Sequence, residues 1–172
     1  MRVEAMVAAY LPNVWRFVRR LGVQEHDVDD VVQEVIVIVA KKLALIAEGS
    51  ERAFMMSTAY RVASDHRRAR KRRPEVDLDD ARELSDPNPG PDALTEQHQA
   101  RRMLDSVLDD LPLEQRAVFV LYELEGATMA EIAETLELAP GTVASRLRRA
   151  RELFEARVSR LERSLSTERG EE

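Results

Sequence analysis

The 172-residue chain has no cysteine, which excludes disulfide scaffolds, Cys-type zinc fingers and thiol catalysis. Histidine is nearly as scarce, with three residues, His26, His66 and His98, far apart along the chain. Each reads as a surface residue rather than a ligand or base. No glycine-rich phosphate loop is present, and no nucleophile has a matching base. Asp29 and Asp30 could be imagined as a metal pair, but adjacent helical residues diverge by about 100°. No catalytic residue, metal or cofactor is therefore expected. Long apolar runs are also missing. The amino terminus, MRVEAMVAAYLPNVW, lacks the uninterrupted apolar stretch of a signal peptide, and no window approaches a membrane span. The expectation is a soluble, cytoplasmic protein without membrane insertion.

What the chain does have is charge, 26 Lys+Arg against 32 Asp+Glu, for a formal net charge of -6. Taken whole, that value argues against nucleic acid, because phosphate contact needs basic surface. Resolved by position it reads differently. Gln24 to Glu34 holds five acids and no Lys or Arg, whereas Arg61 to Arg73 holds seven basic residues against Asp65, a local balance of +6. Pro74 to His98 reverses to -7, and Ala139 to Arg160 returns to +4. Two basic blocks separated by an acidic, proline-rich segment mark interaction surfaces.

The segment PEVDLDDARELSDPNPGP, residues 74–91, carries four prolines and a glycine. It cannot hold a continuous helix and reads as an extended, charged linker. It separates residues 1–73 from residues 92–165, leaving 166–172 as an expected disordered tail. Both halves read as helical. Leu11, Val14, Trp15, Val18 and Leu21 recur at helical spacing in a helix ending at Gly22. The run Val35-Ile36-Val37-Ile38-Val39 has the β-branched content of a strand. Acids at the start of its segment, Lys41-Lys42 at the end and the stripe Val28, Val31, Val32, Val35, Val39 argue for a helix instead. Ser50 is an expected N-cap for a third helix running into the basic block. In the second half a helix runs from Asp92 to about Asp110, Leu111-Pro112 breaks the chain, and a helix restarts at Leu113 and continues to about Leu124. Gly126 ends it, and Thr128-Met129-Ala130-Glu131 forms a capping-box pattern. A short helix through Leu136, a brief turn and a helix opened by Pro140-Gly141-Thr142 complete this half. The expected fold is all-α: two small helical domains joined by an acidic, Pro-rich linker.

The two last helices, with Ser145, Arg146, Arg148, Arg149 and Arg151 on the second, match a DNA-binding helix-turn-helix. Ile132, Leu136, Leu138, Val143 and Leu147 would fill its core, with Ala133 small at the crossing. The amides of Gly141, Thr142 and Val143 lie at a helix N-terminus, where a phosphate can bind. Ser145, Arg146 and Arg149 share the opposite face, from which arginines reach guanine edges, each bidentate pair giving about 1–3 kcal/mol of discrimination. Glu137 stands at the turn position usually given to glycine, at a cost of about 1 kcal/mol.

The stretch LPLEQRAVFVLYELEGATMAEIAETLELAPGTVASRLRRARELF strongly resembles the carboxy-terminal promoter-binding domain of sigma-70 family factors, most closely the extracytoplasmic-function (ECF) group. Asp27-Val28-Asp29-Asp30-Val31-Val32-Gln33-Glu34 resembles the acidic helix with which that family grips RNA polymerase. AFMMSTAYRVASDHRRARKRR resembles its promoter-melting and −10-reading helix. The resemblance spans about residues 5–160 in the family's order. It implies a transcription initiation subunit that is not itself an enzyme, without cofactors. Its implied partners are core RNA polymerase (the β′ coiled coil and the β flap) and promoter DNA, with room for an anti-sigma protein that masks these surfaces. It further implies polymerase binding by Asp27, Asp30, Gln33 and Glu34, −10 contacts by Arg61, His66, Arg67, Arg70 and Lys71, and −35 contacts by Thr142, Ser145, Arg146 and Arg149. The physical pattern agrees with the first set: Asp27, Asp30 and Glu34 share one helix face, opposite inward-facing valines, and such a ridge suits a basic partner. Two positions depart from the family's pattern. Phe54 replaces a usual tryptophan, and is expected in the core, while Arg61 replaces a common asparagine.

The two promoter elements lie about 25 base pairs apart, roughly 85 Å at ~3.4 Å per step. Eighteen linker residues fully extended reach about 60 Å, and two domains of radius ~13 Å add about 26 Å. Spanning both elements needs a nearly stretched linker. The competing reading is a stand-alone helix-turn-helix regulator. It would need a sensory or dimerisation domain, and residues 1–73 offer neither a phosphoacceptor α/β pattern nor a ligand pocket.

Overall fold

A computed structural model describes the backbone of residues 2–72 and 92–169, and the side chains of residues 2–72 and 99–164. The expected linker, 74–91, lies outside the described residues. Within them the chain is all-α. The amino-terminal half comprises α1 (Arg2–Arg20), α2 (Glu25–Lys42) and α3 (Glu51–Arg72), with a 3-10 turn (Leu43–Leu45) after α2. The carboxy-terminal half comprises α4 (Asp92–Asp109), α5 (Leu113–Phe119), a π-turn (Val120–Leu124), α6 (Met129–Leu136) and α7 (Pro140–Arg169). The last helix continues beyond residue 165, where the sequence reading closes the domain.

The three amino-terminal helices pack pairwise against one another. Val28, Val31, Val32, Val35 and Val39 are all buried, so the ambiguous β-branched segment is a helix. The valines lose little by being helical, because the two flanking helices cover their stripe and burial outweighs propensity. Helix α1 ends at Gly22, whose φ is +85° and whose amide donates to the Arg19 carbonyl at 2.9 Å. That is the left-handed C-terminal position that favours glycine. A methyl group here would also run into the guanidinium groups of Arg67 and Arg116. Arg67 donates to the Leu21 carbonyl, and Arg116 donates to the Arg20 carbonyl. Two cations therefore sit on the negative end of the α1 dipole.

In the carboxy-terminal half the expected continuous helix from Leu113 to Leu124 is split, since its second half is a π-turn. Gly126 comes shortly after it, at φ +67°. The expected capping box is present: the Glu131 amide donates to Thr128 Oγ1 at 3.3 Å, and the Thr128 amide donates to Glu131 Oε2 at 2.7 Å. The backbone bond from Thr128, then its hydroxyl, hold the Glu131 carboxyl below its ordinary value. Thr128→Ala is expected to lower stability by about 1 kcal/mol, read from the urea midpoint at constant slope.

The halves do not stand apart. Their buried apolar residues form one connected cluster, and α3 packs against α6 with backbones within 8 Å.

Candidate functional site

Helix α2 turns Val28, Val31, Val32, Val35 and Val39 inward and leaves Asp30, Gln33 and Glu34 exposed. Three of the four residues expected at the polymerase thus form an open ridge. Asp27, the fourth, is half-buried and already engaged. Its Oδ2 lies 3.3 Å from Arg70 Nη1, 3.6 Å from His66 Nε2 and 3.5 Å from His26 Nε2. One carboxylate of the acidic helix is therefore tied to two residues of the basic block on α3. Asp29, beside it, accepts a hydrogen bond from Trp15 Nε1 at 2.9 Å, which fixes α2 against α1.

The five residues expected at the −10 element all lie on α3 but not in one environment. His66 and Arg61 border a cavity of about 380 Å³ between α2 and α3, shared with Glu34, Ile38, Lys42 and Phe54. Phe54 is partly buried against the core, as expected. Arg61 donates to Ser57 Oγ at 3.0 Å and pairs with Glu137 of the carboxy-terminal half. Arg67 points to the end of α1, and burial pushes its guanidinium below its ordinary value. Lys71 is exposed, next to Arg67 and Arg68 in a second cavity of about 300 Å³ bordered by Asp109 and Asp110. Of this set Arg61, Arg70 and Lys71 are exposed, and His66 and Arg67 are half-buried.

In the helix-turn-helix, Ile132, Val143 and Leu147 are buried, with Leu136, Leu138 and Ala133 packed against them. Glu137 joins the two helices at φ +55°, in the left-handed region, as its position in the motif requires. Ser145 and Arg149 are exposed on α7, while Thr142 and Arg146 are half-buried. Arg146 pairs with Glu114 at 2.8 Å, and Arg149 reaches Glu152 at 3.7 Å. The amides of Thr142 and Val143 already donate to the Ala139 carbonyl, at 2.9 and 3.1 Å. Ala139 acts as the cap of α7, so those two amides are not available to a phosphate as the sequence suggested. Arg151 faces elsewhere, paired with Glu123 at 2.6 Å and stacked over Tyr122.

Two residues that sequence reasoning passed over hold the halves together. Arg116 is 2% exposed; it pairs with Asp109 at 2.8 Å and reaches the Arg20 carbonyl. Burial lowers its pKa, against the opposing pull of Asp109. Glu125 has a fully enclosed side chain that accepts from Asn13 at 2.9 Å, Arg20 at 2.9 Å and Arg16 at 3.2 Å. Nothing in the sequence separates either residue from an ordinary solvated charge.

Residues 6–73 match the model of sigma-70 region 2, and residues 101–154 match that of sigma-70 region 4. The chain belongs to the sigma-70 family, in its ECF group. It is 29% identical over 150 residues to the ECF RNA polymerase sigma factor SigE of Mycolicibacterium smegmatis, across 87% of this chain and 58% of that relative's length. It is 29% identical over 169 residues to the ECF RNA polymerase sigma-E factor of Escherichia coli K12, across 93% of this chain and 82% of that one. Among solved structures it resembles CnrH in complex with the cytosolic domain of CnrY, at 25% identity and a TM-score of 0.69, over 91% of this chain and 87% of that one. The region 2 match takes in α2 and α3, and the region 4 match takes in the helix-turn-helix of this sigma-70 chain. Among its described residues no helix is long and apolar enough to cross a membrane.

Proposed function

We propose that the chain is a transcription initiation factor of the bacterial cytoplasm that binds core RNA polymerase and directs it to promoters through −10 and −35 DNA elements. The observation that carries this reading is the separation of two exposed surfaces of opposite sign: the acidic ridge on α2 and the arginine-bearing face of α7. An acidic ridge repels DNA and attracts a basic protein surface. An exposed Ser145–Arg149 face on the second helix of a helix-turn-helix fits a major groove.

In this reading Asp30, Gln33 and Glu34 meet the β′ coiled coil, with Asp27 at the inner edge of the same contact. Arg61, His66, Arg67, Arg70 and Lys71 serve the −10 element, where unstacked bases are held as single strand against a basic groove. Thr142, Ser145, Arg146 and Arg149 serve the −35 element, and the carboxy-terminal half meets the β flap. No residue of the chain is catalytic; the chemistry belongs to the polymerase. A solved relative, CnrH, is held by the cytosolic domain of a second protein, CnrY, and a masking protein of the anti-sigma kind is part of the proposal here.

The shared engagement of Asp27 has a consequence. A basic polymerase surface that takes Asp27 competes with Arg70 and His66 for the same oxygen, so core binding would loosen the tie between α2 and α3 at this point. The stand-alone regulator requires none of this. Pull-down with core polymerase separates the two readings: the initiation factor is retained on core and supports promoter-dependent transcripts, and a stand-alone regulator binds its site with core absent.

A further inference from the structure

Several polar contacts bridge the two halves, and four of them fall on one acidic residue, Glu125. Glu125 lies directly after the π-turn, held by its own amide donating to the Val120 carbonyl at 3.0 Å. The extra residue of a π-turn displaces the next stretch of chain relative to a regular helix. Here that places a carboxylate of the carboxy-terminal half inside the amino-terminal one. Its two oxygens take Asn13, Arg16 and Arg20 of α1, and its carbonyl takes Arg52 of α3 at 2.9 Å. All of these partners are on the far side of the linker. Around this point lie Arg116 on the Arg20 carbonyl, Arg19 with Asp105 at 2.6 Å, Arg52 with Glu131 at 3.6 Å, and Arg61 with Glu137.

This arrangement cannot engage both promoter elements. The helix assigned to the −10 element touches the first helix of the helix-turn-helix, whereas the elements lie roughly 85 Å apart on DNA. Arg61 is also occupied by Glu137. The ridge residues Asp30, Gln33 and Glu34 stay exposed in the same arrangement, so the polymerase-facing surface remains open while the promoter-facing one is partly covered.

We propose that Glu125 is an intramolecular latch: its enclosed carboxylate, gripped by Asn13, Arg16 and Arg20, holds the free chain in a closed form that must open before DNA can be spanned. The assignment of the closed form as promoter-incompetent rests on the function proposed above; the latch itself does not. An ionic latch suits a reversible closure. A buried carboxylate with three donors is held firmly, yet loss of either side leaves the other unpaired and disfavours closure. A partner that opens the chain must bind the open form better than the closed one. Core polymerase has that opportunity, because its contact surface is already exposed.

The absence of native cysteine makes the test direct. Lys41 and Glu155, both exposed, are changed to cysteine in the full chain and spin-labelled, and the distance between labels is read by pulsed electron resonance. The parent should give one narrow distance. Glu125→Gln should give a broad distribution reaching longer distances, with the closed-to-open ratio lowered at least about tenfold. Arg16→Gln with Arg20→Gln should reproduce that change from the other half. A role of Glu125 confined to folding of its own half would not be reproduced in that way, and circular dichroism of all variants checks that helix content is kept. A broad distribution in the parent, or a narrow one in both variants, overturns the latch. Core-dependent transcription, measured on the same proteins, reports on the proposed function separately. Its loss in the unlabelled parent sinks that function while leaving the distance result intact.

Discussion

Reversing two charges on the α2 ridge, Asp30→Lys with Glu34→Lys, is expected to weaken binding to core RNA polymerase by at least about 100-fold. Placing like charges across an interface costs several kcal/mol, and each 1.4 kcal/mol is a factor of about ten. Both side chains are exposed and neither supports the core, so stability should change by no more than about 0.5 kcal/mol. Titration of labelled chain with core measures the first quantity, and a thermal melt measures the second. Wild-type affinity in the double variant would sink the reading of the ridge. Asp27 is the wrong residue for this test despite its place in the same motif. It lies against Arg70 and His66, so its removal disturbs the basic helix as well.

The second large effect belongs to α7. Arg149→Ala should lower transcription from promoters that depend on a −35 element by about ten- to one-hundredfold, the loss expected when one bidentate arginine–guanine pair goes. Binding to core should be unchanged. Arg149 is the cleaner probe, because it is exposed and its approach to Glu152 is a surface ion pair of small value. Arg146→Ala should act in the same direction but also removes the 2.8 Å pair with Glu114, which ties α7 to α5. Equal loss of core binding and promoter activity in Arg149→Ala would count against its assignment to DNA.

Much of the fold was legible because it rests on local patterns. The α2 stripe Val28, Val31, Val32, Val35, Val39 decided between strand and helix, and the structure buries all five. The Thr128–Glu131 capping box and the left-handed Glu137 are likewise matters of a few neighbouring residues. The split of the expected Leu113–Leu124 helix was not legible, since a π-turn uses the same residue types as the α-helix it interrupts. For the site, family pattern supplied which residues to consider, but not their surroundings. The engagement of Asp27, the turning of Arg67 to the Leu21 carbonyl and the capping of α7 by Ala139 depend on packing between segments distant in sequence. The contact between halves was wholly hidden. Glu125 precedes a helix-ending glycine and looks like a solvated acid, while Arg116 sits in a short helix that looks like surface. What enclosed them was the docking of one half on the other.

The net charge of -6 is consistent with a DNA-directed role once it is placed on the molecule. The acidic ridge faces outward, the basic block is partly neutralised by Asp27 and Glu137, and Arg149 remains open on α7. Such a chain should be weak on DNA alone and competent with a partner that takes its acidic surface.

The most direct measurement is run-off transcription in vitro, with core RNA polymerase and the purified chain on a library of genomic fragments. The account predicts discrete start sites that need both components, share −10 and −35 sequences at a fixed spacing, and weaken with Arg149→Ala. Transcripts independent of the chain, or sequence-specific DNA binding by the chain that core neither requires nor improves, would contradict it.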